Sequence, residues 1–225
     1  MSATTEPPAS GSSPRIVVLA SGSGSLAQAL IAACSTGEVP AHVVAVVSDR
    51  AEAGVHEHAR AAGVPSQTVV LERGADRAAW DARLRDAVAA HNPDLVVSAG
   101  FMRLVGAAFL AEFGGRMINT HPSLLPSFPG VHGPRDALAA GVRVAGTSVF
   151  WVDAGLDTGA IIAQEAVRVL PTDTVDSLHE RIKQVERPLL VQVCAEIAAG
   201  VPHDHLTPGL RPATTPTPTT EGEPR

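Results

Sequence analysis

Four short runs of aliphatic and β-branched residues, each followed by a stretch with helical spacing, constrain this chain more than any other feature. The runs occupy residues 16–19, 43–47, 68–71 and 95–97. After the first, Leu26, Ala29, Leu30 and Ala33 recur at helical intervals; residues 52–62, 78–90 and 104–112 follow the other three. A strand that is apolar at every position must be covered on both faces, and a helix between successive strands is the crossover that parallel pairing needs. The fold predicted is therefore α/β, a doubly wound and mostly parallel sheet.

The second half changes character. A short strand at 116–119 runs into a proline-rich loop. Two strand candidates, 147–152 and 161–170, are joined by Asp153-Ala154-Gly155-Leu156-Asp157-Thr158-Gly159. Residues 174–199 then read as a long final helix with Thr172 or Asp173 as its cap, and Pro188 is expected to kink it. Residues 1–14 are rich in Ser, Thr, Pro and Gly, and 207–225 are dominated by Thr and Pro. Such segments bury too little apolar surface to offset chain entropy, so one folded domain is expected over 15–206 between two disordered tails.

Composition narrows the function. A hydrophobic content of 45% suits a globular core, and no apolar run approaches the ~18–20 residues that span a bilayer. The first residues lack a basic segment followed by an apolar one, so no secretory signal is read there. Cys34 and Cys194 lie far apart and form no ligand motif; they read as reduced thiols packed on helices. A cytoplasmic protein away from membranes is expected. The formal charge of −6 argues against nucleic acid as a partner, and with 3% aromatics and no Tyr there is no platform for stacking bases.

Three segments carry candidate chemistry. Ser21-Gly22-Ser23-Gly24-Ser25 follows the first strand and opens the first helix, where free amides can meet a phosphate. Ala27 stands where a dinucleotide fingerprint would place its third glycine, and the Lys of an NTP-binding loop is missing. A tight strand-to-helix turn made of small residues is the alternative. Asn119-Thr120-His121-Pro122-Ser123-Leu124-Leu125-Pro126 ends a strand, the edge at which open α/β sheets bind ligands. Asn119 and His121 share a face of that strand, an amide donor beside an imidazole that exchanges protons near neutral pH. A histidine satisfied by a backbone carbonyl, beside a turn asparagine, would read the same way. The Leu125–Pro126 bond is a candidate cis peptide. In the third segment, Asp157 between Gly155 and Gly159 could orient His121 and favour its charged form, or could simply form a turn. His56, His58, His121, His132, His203 and His205 show no Cys or paired carboxylate at ligand spacing, so no metal site is assigned. No Ser occupies a nucleophile elbow, since Ser23 belongs to the glycine-rich turn.

Together these segments resemble the phosphoribosylglycinamide formyltransferases, folate-dependent enzymes of purine synthesis, from about Arg15 to Gly200. The motif Asn119-x-His121-Pro122-Ser123-Leu124-Leu125-Pro126 with Leu156-Asp157-x-Gly159 is shared by folate formyltransferases and deformylases. Val18-Leu19-Ala20-Ser21-Gly22-Ser23-Gly24-Ser25 and Ser98-Ala99-Gly100-Phe101-Met102-Arg103 are similar to the glycinamide ribonucleotide branch. The resemblance implies formyl transfer from 10-formyltetrahydrofolate, a co-substrate, to the amine of glycinamide ribonucleotide in de novo IMP synthesis. No permanently bound cofactor is implied, and a homodimer is compatible with the pattern. Asn119, His121 and Asp157 would be the catalytic trio. Gly24, Ser25, Leu26, Ala27 and Gln28 would hold the substrate phosphate, and Lys183 and Glu186 the ribose and glycinamide end. The folate would meet Arg77, Met102, Arg103, Leu104 and Val105, then Asn119, and the loop of Asp153, Ala154, Gly155, Leu156 and Asp157. The family usually has Asn at the positions of Ser23 and Leu26, and often His at that of Phe150. Two related activities stay in view: a deformylase, expected to carry a regulatory domain that residues 1–14 cannot supply, and a methionyl-tRNA formyltransferase, expected to carry an RNA-binding domain. A non-catalytic nucleotide sensor would leave the trio without a task.

Overall fold

The computed structural model describes residues 13–201. One seven-stranded sheet has the order β3-β2-β1-β4-β5-β6-β7. β1 (Arg15–Leu19), β2 (His42–Ser48), β3 (Ser66–Thr68), β4 (Leu95–Ser98) and β5 (Met117–His121) pair in parallel. β6 (Val144–Trp151) lies antiparallel to β5, and β7 (Ile161–Arg168) antiparallel to β6. Alternation along β1 shows why the sheet is covered twice. Ile16 and Val18 pack with α1 (Ser25–Thr36), α2 (Val55–Ala61) and α6 (Val175–Ala198). Val17 and Leu19 face Trp80 and Leu84 of α3 (Arg77–Ala89) and Phe109 and Phe113 of α4 (Ala107–Phe113). The strand order reverses between β1 and β4, which opens a crevice at their carboxyl ends.

The predicted doubly wound, mostly parallel sheet is the fold observed, and the departures from expectation are local. β3 lies at 66–68 instead of 68–71. Val46 and Ser48 pair with Ser66 and Thr68, and Val69 N then closes on Ser48 O, where β2 ends. Beyond it the carbonyls of Val69 and Val70 accept from Trp80 Nε1 and Arg83 Nη2, so side chains of α3 replace a strand partner. α2 starts at Val55 instead of 52, and α4 at Ala107 instead of 104. Asp81 of α3 accepts from Gly106 N and Phe109 N and so caps α4 from another helix. α5 (Gly133–Ala139) was hidden in the proline-rich loop; Pro134 sits in its first turn, where a missing N–H costs no helical bond.

The cap of α6 is Thr174, correcting the expectation of Thr172 or Asp173. Thr174 is extended and accepts from Ser177 N, while Ser177 Oγ reciprocates to the Thr174 backbone. Asp173 is occupied otherwise, accepting from Leu170 N and pairing with Arg181. Pro188 lies inside α6, which runs through it. The Leu125–Pro126 bond is cis. Residues 1–12 and 202–225, which hold most of the predicted tails together with His203 and His205, lie outside the described residues.

Candidate active site

His121 ends β5 on the carboxyl edge of the sheet, and its side chain is 7% exposed. Nε2 lies 2.8 Å from Phe128 O. A carbonyl only accepts, so Nε2 carries the proton and Nδ1 is the nitrogen left to gain or lose one. Nδ1 faces Asp157 Oδ2 at 3.7 Å, and that carboxylate is 9% exposed. Asp157 Oδ2 also accepts from Gly130 N at 2.7 Å. The 122–132 segment therefore grips both partners through main-chain groups. Phe128 and Asp157 each have a φ of 55°, which is uncommon for side-chain-bearing residues and accumulates where structure holds a site under strain.

Gly133, the first residue of α5, closes the floor. A Cβ there would lie 2.8 Å from Pro122 O and 3.4 Å from His121 Nε2, so only glycine lets α5 approach the imidazole. Asn119, two residues before His121, shares its face of β5 and is half-buried; its amide makes no hydrogen bond among the described residues. Asp153 accepts from Gly155 N and Thr158 Oγ1, which fixes the turn that presents Ala154, Leu156 and Asp157.

Glu186 of α6 is 4% exposed and meets Thr120 and Thr147; Thr147 Oγ1 also reaches His121 O at 3.1 Å. Burial pushes the Glu186 carboxyl above the usual range, against the hydrogen bonds of Thr120 and Thr147 and the charges of His121 and Lys183. Lys183 sits one helical turn away with its ammonium on Glu180 at 2.7 Å.

At the start of α1, Gly24 is left-handed with φ 80° and makes no side-chain cap. The amides of Ser25, Leu26 and Ala27 have no helical acceptor and present the positive end of α1. Gln28 N closes on Gly24 O, so the exposed Gln28 side chain is what it has left to offer a ligand. Between this turn and β5 lies the segment after β4. Met102 and Leu104 hold their side chains 59% and 55% exposed while Met102 N donates to Ser21 Oγ and Arg77 Nη2 to Leu104 O. Exposed apolar side chains on a fixed backbone suit a ring-binding wall.

Sequence reasoning thus located His121, Asp157, Asn119 and the glycine-rich turn, and all lie on one edge of the sheet. It missed Phe128, Gly130 and Gly133. The first two act through main-chain groups, which leave no side-chain signature, and the third through the absence of a side chain.

Residues 14–194 match the family model described as Formyl transferase. A phosphoribosylglycinamide formyltransferase of Mycobacterium tuberculosis (strain ATCC 25618 / H37Rv) is 56% identical over 184 residues, covering 82% of this chain and 85% of that protein. The Escherichia coli (strain K12) protein of the same name is 41% identical over 185 residues, with 82% and 87% covered. A crystal structure of glycinamide ribonucleotide transformylase 1 from Symbiobacterium toebii superposes with a TM-score of 0.82 at 43% identity, covering 88% of this chain and 94% of that one. On these likenesses, and on a histidine–aspartate pair at the carboxyl edge of a doubly wound sheet, the chain belongs to the formyl transferase family, among the phosphoribosylglycinamide formyltransferases.

Proposed function

We propose that this chain transfers the formyl group of 10-formyltetrahydrofolate to the amine of glycinamide ribonucleotide, a step of de novo purine synthesis. The observation that carries the reading is His121, held by Phe128 O on one nitrogen and facing Asp157 with the other, on the same strand face as an uncommitted Asn119. The substrate phosphate binds the free amides of Ser25, Leu26 and Ala27. The glycinamide end lies toward Glu186 and Lys183, and the pterin against Met102 to Val105 and the Asp153–Asp157 turn. The folate is a co-substrate, released after each turnover.

The neutral amine attacks the formyl carbon, a C–N bond forms, and the carbonyl electron pair moves onto oxygen. Asn119 and the Nδ1–H of protonated His121 receive this oxyanion. Nδ1–H is the imidazole donor available, because Nε2–H is spent on Phe128 O. Asp157 faces Nδ1 across 3.7 Å and helps water carry the amine's proton to the departing folate nitrogen. The intermediate collapses as the bond to folate N10 breaks, and the proton lost by the amine reaches N10. Products are the formylated nucleotide and tetrahydrofolate. One assay tests the reading: folate deformylation followed with and without glycinamide ribonucleotide. Turnover that needs the nucleotide is expected. Turnover without it would mean hydrolysis with water as acceptor, and binding without turnover would mean a sensor.

A further inference from the structure

The segment between β4 and α4 crosses the candidate folate site without regular secondary structure, and its neighbours hold it residue by residue. Phe101 stacks on Trp80 at 6.4 Å between ring centroids. Met102 N donates to Ser21 Oγ at 2.8 Å, Leu104 O accepts from Arg77 Nη2 at 2.7 Å, and Gly106 N donates to Asp81 at 2.5 Å. These contacts fix the main chain and the Phe101 ring. Arg103 alone has a polar side-chain anchor: its Nε donates to Asp49 Oδ2 at 2.7 Å.

The partner is unusual. Asp49 follows the last residue of β2, and its side chain is 0% exposed against 33% for Arg103. Its second oxygen, Oδ1, is buried without a hydrogen-bond partner among the described residues. A buried carboxylate with one donor on one oxygen is an expensive way to gain stability, since two apolar side chains would fill the space at less cost. The arrangement does control direction. With Nε anchored, Nη1 and Nη2 make no hydrogen bond among the described residues, and a guanidinium edge with two free donors fits a carboxylate.

We propose that Asp49 is a positioning residue for the folate: by holding Arg103 through Nε, it presents the two remaining donors to an acceptor, best a carboxylate, on the bound folate. This role rests on the folate reading above and adds to it a residue that touches no substrate. Asp49→Asn keeps the shape and turns a charge-assisted hydrogen bond into a neutral one, a loss of about 1 kcal/mol or about fivefold in affinity. The experiment is calorimetric titration with tetrahydrofolate, together with KM for each substrate and kcat, on wild type, Asp49→Asn, Arg103→Met and the double variant.

Expected for Asp49→Asn are a tetrahydrofolate Kd and a folate KM raised about fivefold, with nucleotide KM and kcat within about twofold of wild type. In the Arg103→Met background Asp49→Asn should add nothing, because the residue acts through that guanidinium. A merely structural Asp49 would shift both KM values together, or weaken binding equally in both backgrounds, and either result overturns the proposal; so does an unchanged Kd. Failure of the wild type to bind tetrahydrofolate would instead overturn the folate reading, and this role with it.

Discussion

In the proposed reaction His121 divides its role between two nitrogens, one held by Phe128 O and one facing Asp157, and this makes the residue-scale predictions specific. Replacing Asn119 or His121 by Ala removes one oxyanion donor and should lower kcat by ~10²–10³, about 2.7–4 kcal/mol. Asp157→Ala removes the charge facing Nδ1 and should cost ~10²–10⁴. Each is read from kcat beside an unchanged far-ultraviolet circular dichroism spectrum. Near-normal turnover would remove that residue from the trio. Glu186 yields a prediction of a different kind. Burial raises its carboxyl, so the folded protein holds a proton that the unfolded chain gives up near pH 4.5. The sign follows: stability linked to Glu186 is complete below that pH and is lost as pH rises through the raised folded value. Glu186→Gln should therefore melt above wild type at neutral pH and converge with it below about pH 4.5, while catalysis suffers from the missing carboxylate. Melting temperatures across the pH range check this, and a variant less stable at pH 7 would sink it.

At the scale of elements, two helix starts do the positioning. α1 begins at Gly24, whose left-handed φ of 80° aims the free amides, and where a Cβ would stand 2.7 Å from the Cα and Cβ of Val55. Gly24→Ala thus combines backbone strain of roughly 1–2 kcal/mol with a clash against α2. The nucleotide KM should rise at least about tenfold, with folate binding little changed. α4 is capped by Asp81 from α3; Asp81→Ala strands Gly106 N and Phe109 N and should destabilise the protein by about 0.5–2 kcal/mol in urea denaturation. These starts also mark how far the sequence could be read. The helix at Gly24 announced itself, since strand, small residues and apolar spacing are consecutive. The start of α4 did not, because its cap lies 25 residues upstream on another helix. α5 was masked by prolines that tolerate a first helical turn. In the site, His121 and Asp157 were legible as side chains in a motif, whereas Phe128 O and Gly130 N serve as backbone and could belong to any residue.

For the molecule as a whole, the reversal of strand order between β1 and β4 divides the labour. In the proposed reading the phosphate turn belongs to the β1–α1 half, and the folate wall to the segment after β4 and the antiparallel β5–β6–β7 extension. Alternate residues of β1 feed two cores, one on each face of the sheet, and both cores draw on strands either side of the switch point, so a local change at one binding region leaves the shared support intact. Ligand binding to one half should then be damaged without loss of the other. Thermal shift measures this directly, because a ligand that binds only the folded state stabilises it by about 2.7 kcal/mol at a hundred times its Kd. For a domain of this size that is roughly 5–10 °C. With glycinamide ribonucleotide and tetrahydrofolate added separately at concentrations fixed by their wild-type Kd values, wild type should show both shifts. Gly24→Ala should lose about half or more of the nucleotide shift and keep the folate shift, and Asp49→Asn should show the reverse pattern in milder form. If each variant lost both shifts in proportion, the two binding regions would be one cooperative unit and the division at the switch point would be wrong.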